Sequence, residues 1–135
     1  MSKRTHRVFV YGTLKRGYNN HYLLERSRYM GKSATAPHYL MVSGGFPVIL
    51  PLNAGQSVAG ELYHVDDATL ARLDQLEGVP YMYTREVIDV LERGNPVKAY
   101  VYVGNPTAWM VGEWLDHSAY THINARGELD WHPRR

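Results

Sequence analysis

The 135-residue chain contains no cysteine. That absence removes a disulfide scaffold, a cysteine nucleophile, a thiolate zinc site and an iron–sulfur cluster at once. An excess of charge is also missing: 15 Lys and Arg against 13 Asp and Glu leave +2 with His neutral. So even a balance does not by itself mark a nucleic-acid binder. No uninterrupted apolar run approaches the roughly 20 residues of a membrane-spanning helix, so no membrane partner is expected. Residues Met1 to Arg7 lead directly into a short apolar segment without a signal-peptide core, which reads as a cytoplasmic protein. The seven histidines are scattered with no H-E-x-x-H or H-x-E signature, and no metal is expected. There is no G-x-S-x-G elbow for a serine hydrolase.

Phenylalanine is scarce while its hydroxylated counterpart is not: two Phe stand against eleven Tyr and three Trp. Rings that carry a polar atom need hydrogen-bond partners when buried. They suit a polar cleft, and they equally suit an ordinary small barrel. With 44% apolar and 21% charged residues the composition is that of a single globular domain over 1–135.

Most segments read as β. Arg7–Gly12 is a compact apolar run expected to be a central strand covered on both faces. Pro47–Leu52 has a proline near each end and reads as short or peripheral. Ser57–Val65 is a longer strand with Gly60 at a bulge or close contact. Arg85–Leu91 and Val97–Val103 alternate and flank Arg93-Gly94-Asn95-Pro96, a hairpin turn. In the second of these Val97, Ala99, Val101 and Val103 share one face, and Lys98, Tyr100 and Tyr102 the other. The clearest helix is Asp66–Glu77, with Asp66 or Asp67 as cap, Leu70, Leu73 and Leu76 recurring at threes, and Gly78 as stop. A short turn around Asn20–Arg28 and a segment at Thr107–Asp116 are weaker helices. Residues 117–135 form a polar C-terminal strap or tail. The expected class is α+β, a small mixed β-barrel flanked by a few short helices.

Three segments can carry chemistry. Tyr11-Gly12-Thr13-Leu14-Lys15-Arg16-Gly17 follows a strand, and backbone N–H groups without ladder partners can form an anion-binding concavity there. Gly12 would let a ligand approach the backbone. A phosphate loop is ruled out, because Tyr18-Asn19 stand where Lys-Ser/Thr is required; a plain strand–turn–strand is the alternative. Glu77 lies in the last helical turn, where the dipole disfavours its charge. With partial desolvation its pKa would rise toward that of a useful general base; the alternative is an exposed glutamate at a helix end. Tyr83 and Arg85, two apart on an extended segment, point a hydroxyl and a guanidinium the same way, or simply begin a strand.

Taken together, Val8–Gly17 (VFVYGTLKRG) with Asn20-His21, then Gly60-Glu61-Leu62-Tyr63, then Leu73-Asp-x-Leu-Glu77-Gly-x-Pro-x-x-Tyr83-x-Arg85 resemble the γ-glutamylcyclotransferase-like family. Within it the resemblance is strongest to the γ-glutamylamine cyclotransferase branch, which Tyr120, Gly127 and Trp131-His132-Pro133-Arg134 also resemble. The resemblance implies a small flanked β-barrel, one active-site cavity and no cofactor. It implies a substrate, a small γ-glutamyl amide, whose α-amine attacks its own γ-carbonyl to release an amine and 5-oxoproline. Glu77 matches the family's catalytic glutamate. Tyr11, Gly12, Thr13 and Leu14 match its substrate-binding loop, and Tyr83 matches a further tyrosine of the motif. Residues 29–56 match loosely.

Two other functions compete. A non-catalytic module of the same fold would bind γ-glutamyl or other carboxylate ligands, against which Glu77 would repel a bound carboxylate. A tyrosine-rich basic barrel would bind single-stranded nucleic acid by stacking, but the aromatics fall within strands and no nucleic-acid partner is expected.

Overall fold

In a computed structural model, residues 5–43, 47–105 and 121–132 are described. The core is a five-stranded mixed sheet of order β2-β5-β1-β7-β6. Its strands are β1 (Thr5–Val10), β2 (Arg28–Ala34), β5 (Ala59–Asp66), β6 (Tyr83–Glu92) and β7 (Asn95–Gly104). β1 is central as expected. It runs antiparallel to β5 and parallel to β7, with Val8 opposite both Tyr63 and Tyr100. Val8, Phe9 and Val10 are all buried because both faces of the sheet are covered. Val8 and Val10 join Leu24, Tyr63, Leu70, Leu73, Tyr83 and Tyr102 on one face. Phe9 turns to the other, among Ile49, Val58, Val101, Leu129 and Trp131. The strand ends at Val10, two residues short of expectation, since the chain turns at once with Lys15 N–H donating to Gly12 O.

The first of these faces is covered by a 3-10 turn, His21–Leu24, and by the helix α1 (Asp67–Leu76). Asp66 caps α1 by accepting from the Thr69 N–H at 2.8 Å. Hairpins supply the rest: β3 (Tyr39–Ser43) with β4 (Pro47–Pro51), and β8 (Thr121–Ile123) with β9 (Leu129–Trp131). The β6–β7 hairpin closes at Arg93-Gly94, with φ of +52° and +84°, between the paired Glu92 and Asn95. Two left-handed residues make this a turn whose twist matches the strands, so Asn95 and Pro96 belong to the ladder rather than to the turn. Gly60 sits at a close approach of strands, where a Cβ would come within 2.3 Å of Val10 O.

The α+β class holds, but the sheet is not closed into the expected barrel. Its edge strands β2 and β6 touch through an isolated Thr35–Val90 bridge and the Ser33 Oγ donation to Leu91 O, without a continuous ladder. Beyond Thr35 the chain leaves the edge at Ala36-Pro37, and proline has no N–H with which to continue a ladder. β2 and β3 lie where the sequence pattern had suggested no element. The expected helix at Thr107–Asp116, and the positions of Tyr120, Pro133 and Arg134, lie outside the described residues.

Candidate active site

A cavity of about 350 Å³ opens where β1 ends, the last turn of α1 passes and β6 begins. The structure brings all six sequence-predicted residues to its wall: Tyr11, Gly12, Thr13, Leu14, Glu77 and Tyr83. Their convergence follows from topology. Parallel pairing of β1 with β7 brings Tyr11 to Tyr102, whose carbonyl accepts the Tyr11 hydroxyl at 2.6 Å.

The turn after β1 is organised by its carbonyls. Gly12 O accepts from Lys15 N–H at 3.0 Å, Thr13 O from Asn20 N–H at 3.0 Å, and Leu14 O from the His21 Nδ1–H at 2.9 Å. Asn20 adds a donation from its side-chain amide to Thr13 Oγ1 at 2.8 Å. In a trans peptide the N–H points opposite to the C=O, so fixing the Gly12 and Thr13 carbonyls fixes the Thr13 and Leu14 N–H vectors. The N–H groups of Gly12, Thr13 and Leu14 donate to no group among the described residues. Such a row of oriented donors favours an anion. The glycine at 12 has a packing reason: a Cβ there would lie 2.6 Å from Pro47 Cγ and 2.9 Å from its Cδ. Close ligand approach, the reason suggested by sequence, is therefore not needed to explain it.

Glu77 is the C-cap of α1. Gly78 follows at φ +64°, with its N–H on Gln75 O and the Val79 N–H on Asp74 O. These two bonds end the helix by a left-handed glycine and fix the backbone of Glu77. Its carboxyl makes no hydrogen bond or ion pair among the described residues, and burial pushes its pKa up to about 7. A carboxyl held near neutrality is suited to move protons at physiological pH.

Three tyrosines surround it with hydroxyls held to acceptors. Tyr83 donates to Pro47 O at 3.0 Å, and Tyr102, on the cavity wall, to Asp74 Oδ1 at 2.8 Å. Burial raises the pKa of Tyr11, Tyr83 and Tyr102, and the Glu77 charge adds to the rise in each. All three therefore stay protonated. Arg85 shares the Tyr83 face but does not reach the cavity. Its Nη1 donates to Asp74 Oδ2 at 2.5 Å and its guanidinium lies 4.6 Å over the Tyr100 ring.

Sequence reasoning did not single out Tyr102, Asn19, Pro47 or Met82, which line the cavity together with Leu76. Leu76, which recurs at threes with Leu70 and Leu73, is exposed, and so is Met82. The alternation that grouped Tyr100 with Tyr102 was the available signal for Tyr102; nothing in the local sequence of Pro47 or Met82 pointed to the site.

The chain belongs to the γ-glutamyl cyclotransferase, AIG2-like family, whose model matches residues 8–122, and is a cyclotransferase by that membership. It is 36% identical to a γ-glutamylaminecyclotransferase of Rattus norvegicus over 94% of this chain and 96% of the relative. It is 32% identical to the γ-L-glutamyl-butirosin B γ-glutamyl cyclotransferase of Niallia circulans, over 89% and 80% respectively. The crystal structure of an AIG2-like protein from Mus musculus superposes with a TM-score of 0.74, at 32% identity, covering 98% of both chains.

Proposed function

We propose that the protein is a γ-glutamylamine cyclotransferase with Glu77 as general acid and base. What carries the proposal is a carboxyl at pKa about 7, without a partner among the described residues, in one cavity with the unengaged N–H row of Gly12–Leu14. The substrate's α-ammonium must first lose a proton, and the Glu77 carboxylate accepts it. The freed amine attacks the γ-carbonyl carbon, forming the ring C–N bond. Negative charge that develops on the carbonyl oxygen, or resides on the α-carboxylate, is met by the Gly12–Leu14 N–H groups; one such donor contributes about 3–4 kcal/mol in comparable sites. The amide C–N bond then breaks as the Glu77 carboxylic acid returns its proton to the departing nitrogen; the ring nitrogen gives up its second proton, which the released amine carries away as an ammonium, leaving 5-oxoproline. The nucleophile belongs to the substrate, so no cofactor enters the scheme. Tyr11 and Tyr83 bind the substrate as neutral walls. Holding the chain folded for ring closure contributes on the order of 7–11 kcal/mol in favourable cases.

The test is release of 5-oxoproline from a panel comprising γ-glutamyl-ε-lysine, γ-glutamyl amino acids and glutathione, by wild type and Glu77→Gln side by side. Turnover by wild type that disappears in the variant is expected. Substantial turnover by Glu77→Gln overturns the role of Glu77, and ligand binding without turnover in either protein favours a binding module.

A further inference from the structure

Lys15 directly follows the Gly12–Leu14 row, yet the residue is only 7% exposed and is absent from the cavity wall. A buried ammonium is costly unless it is paired. Lys15 Nζ donates to the Trp131 carbonyl at 2.8 Å and to Asp130 Oδ1 at 3.4 Å, both on β9 or at its edge, and lies 5.3 Å from the Tyr18 ring centroid. Tyr18 reaches the same strand: its ring meets Trp131 edge-on and its hydroxyl is 2.8 Å from His132 Nδ1. β9 is in turn fixed to the body. Leu129 N–H donates to Ser57 O at 2.7 Å, Leu129 forms a parallel bridge with Val58, and Trp131 is 1% exposed. A continuous path therefore runs from the main sheet through β9 and Lys15 to the turn that presents the three N–H groups.

Resting on the function proposed above, we infer that Lys15 is a positioning residue: its bond to the Trp131 carbonyl on the C-terminal hairpin sets the geometry of the Gly12–Leu14 N–H groups. The local geometry makes this a direct lever. Lys15 N–H closes the turn onto Gly12 O while its side chain is held 116 residues away, so the two ends of one residue couple the hairpin to the peptide that carries the Thr13 N–H. Asn20 holds the Thr13 carbonyl and His21 the Leu14 carbonyl from the opposite flank. Releasing Lys15 frees one flank of the row and leaves Glu77 untouched.

Lys15→Met, Lys15→Arg and Asp130→Ala are compared with wild type by steady-state 5-oxoproline release and by hydrogen–deuterium exchange. For Lys15→Met the KM for a γ-glutamyl amide is expected to rise about tenfold, the scale of one charge-assisted hydrogen bond. The pH limb near 7 should stay in place, amide exchange should quicken at residues 11–15 while α1 keeps its protection, and Lys15→Arg should recover part of the loss. Unchanged KM and unchanged exchange at residues 11–15, or exchange that quickens uniformly with a lower melting temperature, overturns the inference. If Lys15→Met does not fold, Asp130→Ala decides: it should raise KM about threefold with the same local exchange pattern, and an unchanged KM and pattern refute the coupling. If wild type turns over no γ-glutamyl amide, the proposed function fails, and the exchange pattern at residues 11–15 still tests whether Lys15 holds the turn.

Discussion

The Tyr102 hydroxyl and the Asp74 carboxylate are joined by a 2.8 Å hydrogen bond one helical turn before Glu77. Arg85 satisfies the other oxygen of Asp74 at 2.5 Å, so α1 is fastened to both strands of the β6–β7 hairpin through one carboxylate. Glu77 is carried on the helix that this contact holds.

Breaking that contact should cost stability in proportion to what is removed. Tyr102→Phe deletes one hydrogen bond and is expected to lower unfolding stability by about 1 kcal/mol. Arg85→Ala deletes the ion pair and the ring contact, in a half-buried setting, for about 1–2 kcal/mol. Urea unfolding with a shared slope reads both; a double variant that loses the plain sum of the two would show that they do not act through Asp74 together.

Glu77 should impose opposite pH trends on activity and on stability. As general base it must be ionised, so kcat/KM should climb with pH and level off above about 7. Its folded pKa of about 7 lies above the ordinary 4.5, so between those values the folded state binds more protons than the unfolded one. Stability is then fully present below about 4.5 and declines as pH rises to about 7, beyond which the loss is constant. Glu77→Gln carries no such charge. It should be more stable than wild type at pH 8 by about 1–3 kcal/mol, and the gain should vanish near pH 4.5. Chemical denaturation of both proteins across this range checks the sign; equal midpoints at pH 8 would contradict it.

Gly12→Ala should be penalised by the Pro47 ring rather than by backbone strain. The added methyl meets Pro47 Cγ at 2.6 Å, and forced repacking costs about 1–3 kcal/mol. Pro47→Ala in the same chain removes the obstacle, and the double variant should regain part of that loss. A cycle of four thermal melts measures the coupling.

Arg93 offers a control far from the cavity. It occupies a left-handed conformation at φ +52° that arginine adopts reluctantly and asparagine tolerates. Arg93→Asn should raise stability by about 0.5–1 kcal/mol and leave 5-oxoproline release unchanged.

How far the sequence disclosed these features depended on where each side chain meets its environment. β1, β5, β6 and β7 were legible because their patterns reflect burial on one or both faces, as in Val8-Phe9-Val10. β2 was not: it lies at a sheet edge, exposes Arg28, Tyr29 and Lys32, and shifts register between Tyr29 and Gly31, which erases the two-residue period. Glu77 was legible from its place before Gly78, and the turn at 11–14 from its place after a strand. Tyr102, Pro47 and Met82 reach the cavity through strand pairing and hairpin placement, which no local spacing encodes.

The central position of β1 bears on how the polypeptide is made. Both of its neighbours are synthesised later, β5 from residue 59 and β7 from residue 95. A growing chain therefore carries Val8-Phe9-Val10 with both edges unpaired until β5 is made, and with one edge still open until β7 follows. Fragments that stop before β7 leave one edge of this strand open and should aggregate more readily than the whole chain.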